Sequence, residues 1–111
     1  MSPWVLCEGV CVQVLDTVAK VSPGKVAYHL EGSNSFRDKD IMREVACVRG
    51  NMPPSIMSAG GPDDVRDYAK KLIDVVGQDG GFIMCCATSI TDAKTENVRA
   101  LFDLTRDYGQ Y

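Results

Sequence analysis

The sequence predicts an α/β fold in which four parallel strands alternate with helices. Along its 111 residues, four short apolar runs recur, each too short to be a free-standing helix. Short runs of this kind are typical of strands that are buried on both faces in a parallel sheet. Between the runs, apolar residues recur at spacings of three and four, which is the helical period. This alternation indicates parallel strands joined by crossover helices.

Each predicted strand is rich in apolar residues and ends in a polar or glycine-containing segment. Because parallel strands point the same way, their carboxyl ends lie along one edge of the sheet, where α/β proteins carry their chemistry. Val, Ile, Tyr and Phe within the runs are strand formers. The four predicted strands are 4–8, 26–31, 45–49 and 82–87.

The clearest helical pattern covers 65–76, where apolar residues recur over three turns. Pro62 stands at a favourable first-turn position and Gly77 acts as a stop signal. The last helix is expected to have Thr95 as its cap and to end at Gly109. Shorter helical patterns cover 11–19 and 36–42.

Four strand–helix units without a linker predict a single domain over residues 1–111. Such units form either a small open sheet or half of an eight-stranded barrel, and the pattern by itself leaves both architectures open.

The composition excludes several classes of partner. The net charge is −3 without any basic block, which argues against nucleic acid binding. No apolar run approaches the roughly 20 residues that cross a bilayer, and the N-terminus lacks a signal-peptide pattern. Five cysteines, an odd number, are expected to be reduced thiols. We therefore expect a cytoplasmic protein that binds neither nucleic acid nor a membrane.

The adjacent cysteines Cys85 and Cys86 allow two interpretations. Neighbouring strand residues point to opposite faces, so only one of the two thiols can face a site. Both are structural in one interpretation, packed as small hydrophobic residues. In the other, one of them lines a site. A disulfide between them is disfavoured by strain.

His29 is the only histidine, and Glu31 lies two residues further on, on the same side of the strand. A carboxylate beside an imidazole raises the imidazole pKa and can fix its tautomer. The pair is either a locally satisfied strand end or a ligand-facing pair.

One known family resembles this chain. The segment CVRGNMPPSIMSAGGPDDVRDYAKKLIDVVGQDGGFIM resembles the late part of the uroporphyrinogen decarboxylase superfamily, which also holds cobalamin-dependent methyltransferases. The family pattern is a strand, Gly-Asn, a proline-containing loop, a long helix and Gly-Gly-Phe-Ile. TENVRALFDLTRDYGQY resembles its last helix, and LCEG and HLEGSNSF resemble two earlier strand ends of the methyltransferase branch.

The resemblance implies the C-terminal half of a TIM (β/α)8 barrel. It also implies tetrapyrrole decarboxylation or corrinoid-linked methyl transfer, in an active site that four further units complete. The family's early strands carry key decarboxylase groups that have no counterpart here. The alternative function is a non-catalytic binding or assembly module.

The implied partners follow from the same half-barrel. They are an N-terminal half-barrel and a protein that carries a corrinoid cofactor. A homo-oligomer is expected as well, because a half-barrel leaves two sheet edges and its inner face open.

The residues at the strand ends are the candidate site. We expect Glu8, His29 and Glu31 to be catalytic. Asn51, in the family's Gly-Asn motif, is the cofactor-binding candidate, although asparagine also suits the turn geometry there.

The methyltransferase branch often holds zinc with a His-x-Cys on the fifth strand and a cysteine after the eighth. Here Leu6 or Val5 stands where that histidine would be, and Thr88 falls near the later cysteine. Glu, His and Cys are all zinc ligands, so the metal hypothesis is a variant zinc site. Its ligands are Glu8, His29 and Cys86.

Overall fold

A computed structural model describes residues 3–32 and 34–110. Four strands and five α-helices are present in these ranges, with a short 3-10 helix at Val12–Val14. The strands are β1 (Trp4–Cys7), β2 (Ala27–Leu30), β3 (Cys47–Arg49) and β4 (Phe82–Ile83). The helices are α1 (Leu15–Val18), α2 (Ser35–Met42), α3 (Pro54–Ala59), α4 (Pro62–Val75) and α5 (Thr95–Tyr108).

The four strands form one parallel sheet in the order β1-β2-β3-β4. The predicted α/β fold with four parallel strands is thereby confirmed, and its four strand–helix units correspond to half of a (β/α)8 barrel. In the register, Leu6 pairs with His29, His29 with Arg49, and Arg49 with Ile83.

Three local expectations differ from the structure. The cap of the last helix is Lys94 rather than Thr95, which is the first residue of α5. The proline-containing segment after β3 forms the helix α3, because Pro54 occupies a first-turn position that proline favours. The fourth strand, predicted over 82–87, is shorter than expected. Regular pairing stops after Ile83 and resumes only as a single bridge between Met52 and Cys86.

One face of the sheet is covered by helices and forms the core. Tyr28, Leu30, Val48 and Phe82 project from the strands into this core. Their helical partners are Leu15, Met42, Leu72 and Val76, all fully buried. A second apolar cluster joins α3, α4 and α5 and consists of Met52, Met57, Val65, Ala69, Ala100 and Leu101.

The opposite face of the sheet has no helix over it among the described residues. Because side chains alternate along a strand, the residues next to each core residue in the strand have their side chains on this face. Trp4, Leu6 and Ile83 are 55%, 53% and 48% exposed there. We call this surface the inner face, since it corresponds to the interior of a barrel. It consists of Trp4, Leu6, Ala27, His29, Cys47, Arg49 and Ile83.

No helix among the described residues has the length and apolar character needed to cross a membrane.

Asn97 ties the last helix to the end of α3. Its side chain is fully buried, and its Nδ2 donates to the carbonyl oxygens of Met57 (2.9 Å), Gly60 (3.0 Å) and Ile56 (3.4 Å). These carbonyls lie at the carboxyl end of α3, and each also accepts a second hydrogen bond, from the Gly60 N–H or from the backbone or side chain of Lys94. Asn97 therefore acts as a side-chain cap for a neighbouring helix.

We expect Asn97→Ala to lower the free energy of unfolding by about 2 kcal/mol, because it removes the hydrogen bonds of a fully buried side chain and leaves a cavity in its place. Urea denaturation followed by circular dichroism measures the change. Arg99→Ala, at an exposed position of the same helix, is the control and should alter the free energy by less than about 0.5 kcal/mol. Equal stabilities of Asn97→Ala and the unsubstituted protein would contradict the capping role.

Candidate active site

His29 lies near the carboxyl end of β2 on the inner face and is only 7% exposed. The Trp4 ring stacks on it, with ring centroids 6.1 Å apart and an angle of 17° between the planes. His29 Nε2 lies 3.2 Å from the backbone oxygen of Cys86. Because a carbonyl oxygen can only accept, Nε2 carries the proton in this contact.

The other ring nitrogen of His29 has no hydrogen-bond partner among the residues that the structure describes. Nδ1 is buried and makes no hydrogen bond to any residue in 3–32 or 34–110. With the proton on Nε2, a neutral imidazole keeps its lone pair on Nδ1. Buried polar atoms are normally satisfied, so an orphaned imidazole nitrogen at the strand ends is a candidate functional group.

Gly50 ends β3 in a backbone conformation that favours glycine. Its φ of +127° is a conformation that side-chain-bearing residues rarely adopt, whereas a Cβ there would make only an ordinary contact, 3.7 Å from His29 Cδ2. The expectation that glycine permits the exit from this strand is consistent with this geometry. The histidine thus reaches across β3 to the backbone beyond β4.

Glu31 fastens the end of β2 to its neighbours instead of pairing with His29. Its carboxylate accepts a hydrogen bond from the Gly9 backbone N–H at 3.2 Å. That bond, with a second from the Thr88 side chain, holds the pKa of Glu31 below its ordinary value, and the charge of His29 contributes least. No hydrogen bond joins Glu31 to His29 among the described contacts.

Glu8 and Cys86 do not converge with His29 on a metal. Glu8 is exposed in the segment after β1, while Cys86 contacts His29 through its backbone oxygen. No group of three His, Cys, Asp or Glu side chains in the described ranges could hold a metal ion. The predicted zinc site is therefore not assembled. β1 and β4 are the two outer strands of an open sheet, so their ends do not meet across a barrel mouth.

The thiols behave as packed side chains. All five cysteines are free. Burial, with a smaller contribution from Cys85, raises the pKa of the Cys86 thiol, which packs against the second apolar cluster. A thiol with a raised pKa is a poor nucleophile and a poor metal ligand at neutral pH. This environment favours the structural interpretation of Cys86.

Asn51 is buried at the start of the segment that follows β3. It borders an open cavity of about 390 Å³ at the same end of the sheet. Glu31, Pro53, Tyr68 and Ala87 also line this cavity. Its role in holding a cofactor stays a prediction.

Two residues of the inner face were not among the expected site residues. The guanidinium of Arg49 lies over the Trp4 ring, 4.3 Å from the ring centroid. Arg49 makes no ion pair with any described residue. The sequence did contain a signal, because an arginine inside an otherwise apolar strand run is unusual in a parallel sheet.

Comparison with known families gives one match. The family model described as uroporphyrinogen decarboxylase (URO-D) matches residues 6–108, which includes almost every element of the fold. A search of curated proteins found no match.

Protonation of Glu31 should loosen the strand ends in acid. Because its folded-state pKa lies below the ordinary value of 4.5, its contribution to stability is present above pH 4.5 and is lost as the pH falls through the folded-state pKa. Glu31→Gln should therefore flatten the dependence of the melting temperature on pH below 4.5.

Thr88→Val is the matched variant for this test. It removes one of the two hydrogen bonds that lower the Glu31 pKa, so the acid-dependent loss of stability should remain but become smaller and end at higher pH. Melting curves recorded between pH 7 and pH 3 compare the three proteins. Identical curves for Glu31→Gln and the unsubstituted protein would show that this carboxylate does not stabilise the strand ends.

Proposed function

Because the chain belongs to the uroporphyrinogen decarboxylase family, we propose that it forms the C-terminal half of a decarboxylase-like or methyltransferase-like active site. The observation that carries the proposal is His29, whose Nδ1 is buried and unpartnered among the described residues. The family match supports the scaffold, and the histidine supports a site on it.

His29 is proposed to move a proton at Nδ1. Decarboxylation requires a proton at the carbon that loses carbon dioxide, and methyl transfer to a thiol requires removal of the thiol proton. An imidazole with one nitrogen hydrogen-bonded and the other free suits either step. The Cys86 carbonyl and the Trp4 ring hold the imidazole in one orientation.

The remaining groups of such a site would come from four further strand–helix units. The edges β1 and β4 each lack a strand neighbour on one side among the described residues. An N-terminal half-barrel could pair with both edges and close the barrel over the inner face. For the methyl-transfer reaction, a corrinoid carried by a partner protein is the proposed methyl donor.

The inner face also supports a second candidate, a non-catalytic binding or assembly module. Trp4, Leu6 and Ile83 expose apolar surface there, as binding surfaces do. In this function the half-barrel holds a partner or a small molecule without turnover. In either function, a reducing, cytoplasmic setting is proposed, since the five thiols are unpaired.

A homo-oligomer is the simplest assembly of this chain alone. All four strands are parallel, so a twofold axis along the strands would bring β4 of one protomer beside β1 of its partner at both seams. The result is an eight-stranded parallel barrel in which each inner face covers the other.

Reconstitution tests the proposed catalysis. The chain is mixed with the separately expressed first four strand–helix units of a full-length family member. Carbon dioxide release from uroporphyrinogen and methyl transfer from methylcobalamin to a thiol are then measured. We expect neither activity from the chain alone and one of them from the complex. His29→Gln should reduce that activity at least about 100-fold, the range of a lost general acid or base.

Glu44→Gln, at an exposed position after α2, is the control and should leave the activity unchanged. A stable complex without either activity would favour the non-catalytic module. An active complex that is insensitive to His29→Gln would contradict the role of the histidine.

Light scattering at micromolar concentration tests the oligomer. We expect a mass of twice the 12.1 kDa of one chain. Leu6→Glu should give a monomer, because it introduces an unpaired charge on the covered inner face. Val75→Glu, at an exposed position of α4, should leave the dimer intact. A compact monomer of the unsubstituted protein would contradict this assembly.

A further inference from the structure

We propose that Arg49 and Trp4 form a carboxylate-binding subsite on the inner face, and that Arg49 selects ligands that carry a carboxylate on an apolar body. The inference deepens the proposed function. It rests on that function only where the bound molecule is interpreted as a substrate.

Arg49 is an unpaired cation in a position where an unpaired cation is unusual. It is the last residue of β3 and half-buried, and no carboxylate in the described ranges pairs with it. By contrast, Arg43, Arg66 and Arg106 lie on the helical surface and form ion pairs with exposed aspartates. A half-buried guanidinium without a counter-ion is a ready site for an anion.

The Trp4 ring lies against the guanidinium of Arg49. The distance of 4.3 Å between Arg49 Cζ and the ring centroid is that of a cation–π stack. The same indole also stacks on His29 of β2, which lies between Trp4 and Arg49 in the sheet. A contact with the ring uses none of the N–H donors of the guanidinium, which can form two parallel hydrogen bonds to one carboxylate.

The surroundings favour a carboxylate over a phosphate. Arg49 is the only lysine or arginine on the inner face, whereas phosphate groups are typically held by several cations or backbone N–H groups. The other exposed side chains of this face, Leu6 and Ile83, are apolar. One cation beside apolar surface matches a singly charged group on an apolar body.

The position also links the subsite to His29. Arg49 and His29 are register partners on adjacent strands, and both side chains lie on the inner face. A ligand held through its carboxylate at Arg49 would therefore lie beside the imidazole. Arg49 would orient the ligand and His29 would act on it.

The fluorescence of Trp4 tests the subsite directly, because it is the only tryptophan in the chain. Hexanoate, a singly charged carboxylate on an apolar chain that does not absorb at the excitation wavelength, is titrated into the full chain, and calorimetry provides an independent dissociation constant. We expect a saturable fluorescence change that weakens at high salt. Methyl hexanoate, which lacks the charge, should not bind.

Arg49→Gln should weaken binding at least tenfold, and Arg49→Lys should weaken it less, because lysine keeps the charge but loses the planar fork. Arg43→Gln, which removes a surface arginine, is the matched control and should bind as the unsubstituted chain does. Circular dichroism verifies that each variant is folded, and Arg49→Lys tests the site if Arg49→Gln does not fold.

Three results would overturn the proposal. They are no saturable binding to the unsubstituted chain, equal binding by the Arg49 variants, and tighter Arg49-dependent binding of inorganic phosphate than of hexanoate. None of these measurements depends on turnover. A failed reconstitution with intact Arg49-dependent binding would therefore count against the proposed catalysis and leave the subsite standing.

Discussion

The alternation of side chains across the parallel sheet is the constraint on which the rest of this structure depends. Tyr28 and Leu30 project into the helix-covered core, so His29 between them must project to the other face. The same rule sends Val48 to the core and Arg49 to the inner face. Burial of one face thereby fixes which polar groups are gathered on the other.

The carboxyl ends of the strands are joined by side-chain to backbone hydrogen bonds rather than by regular pairing alone. Glu31 reaches the Gly9 N–H beyond β1, and His29 reaches the Cys86 carbonyl beyond β4. Each of these hydrogen bonds joins two residues that are distant in the sequence but adjacent in space at the strand ends. The sequence suggested an acid–base pair. Instead, the two side chains of β2 bind in opposite directions, to the segments that follow the two outer strands.

On the inner face, a metal site requires more converging side chains than a site for a carboxylate ligand. A metal needs three side chains around one point, and the open sheet keeps the ends of its outer strands apart. A carboxylate needs only one oriented guanidinium, and Arg49 on its tryptophan support supplies this within the half-barrel. Proton transfer at His29 likewise requires one group and not a cluster.

The sequence by itself determined the α/β class and the order of the main elements. The signals were strong there: apolar runs for the strands, and the three-turn pattern between Pro62 and Gly77 for α4. The helix α3 was missed because a proline pair was interpreted as a loop, although proline also suits a first helical turn. The family match over residues 6–108 agrees with the resemblance seen in the strand-end motifs.

Only the tertiary structure decided which strand-end residues act together. Sequence spacing showed that His29 and Glu31 lie on one side of a strand, but the partner of each comes from a distant segment, Cys86 for one and Gly9 for the other. The stack of Arg49 on Trp4 is equally non-local, since it crosses the intervening strand β2. Local patterns encode which face a residue occupies, whereas contacts across a sheet depend on strand order and register, which the assembled chain fixes.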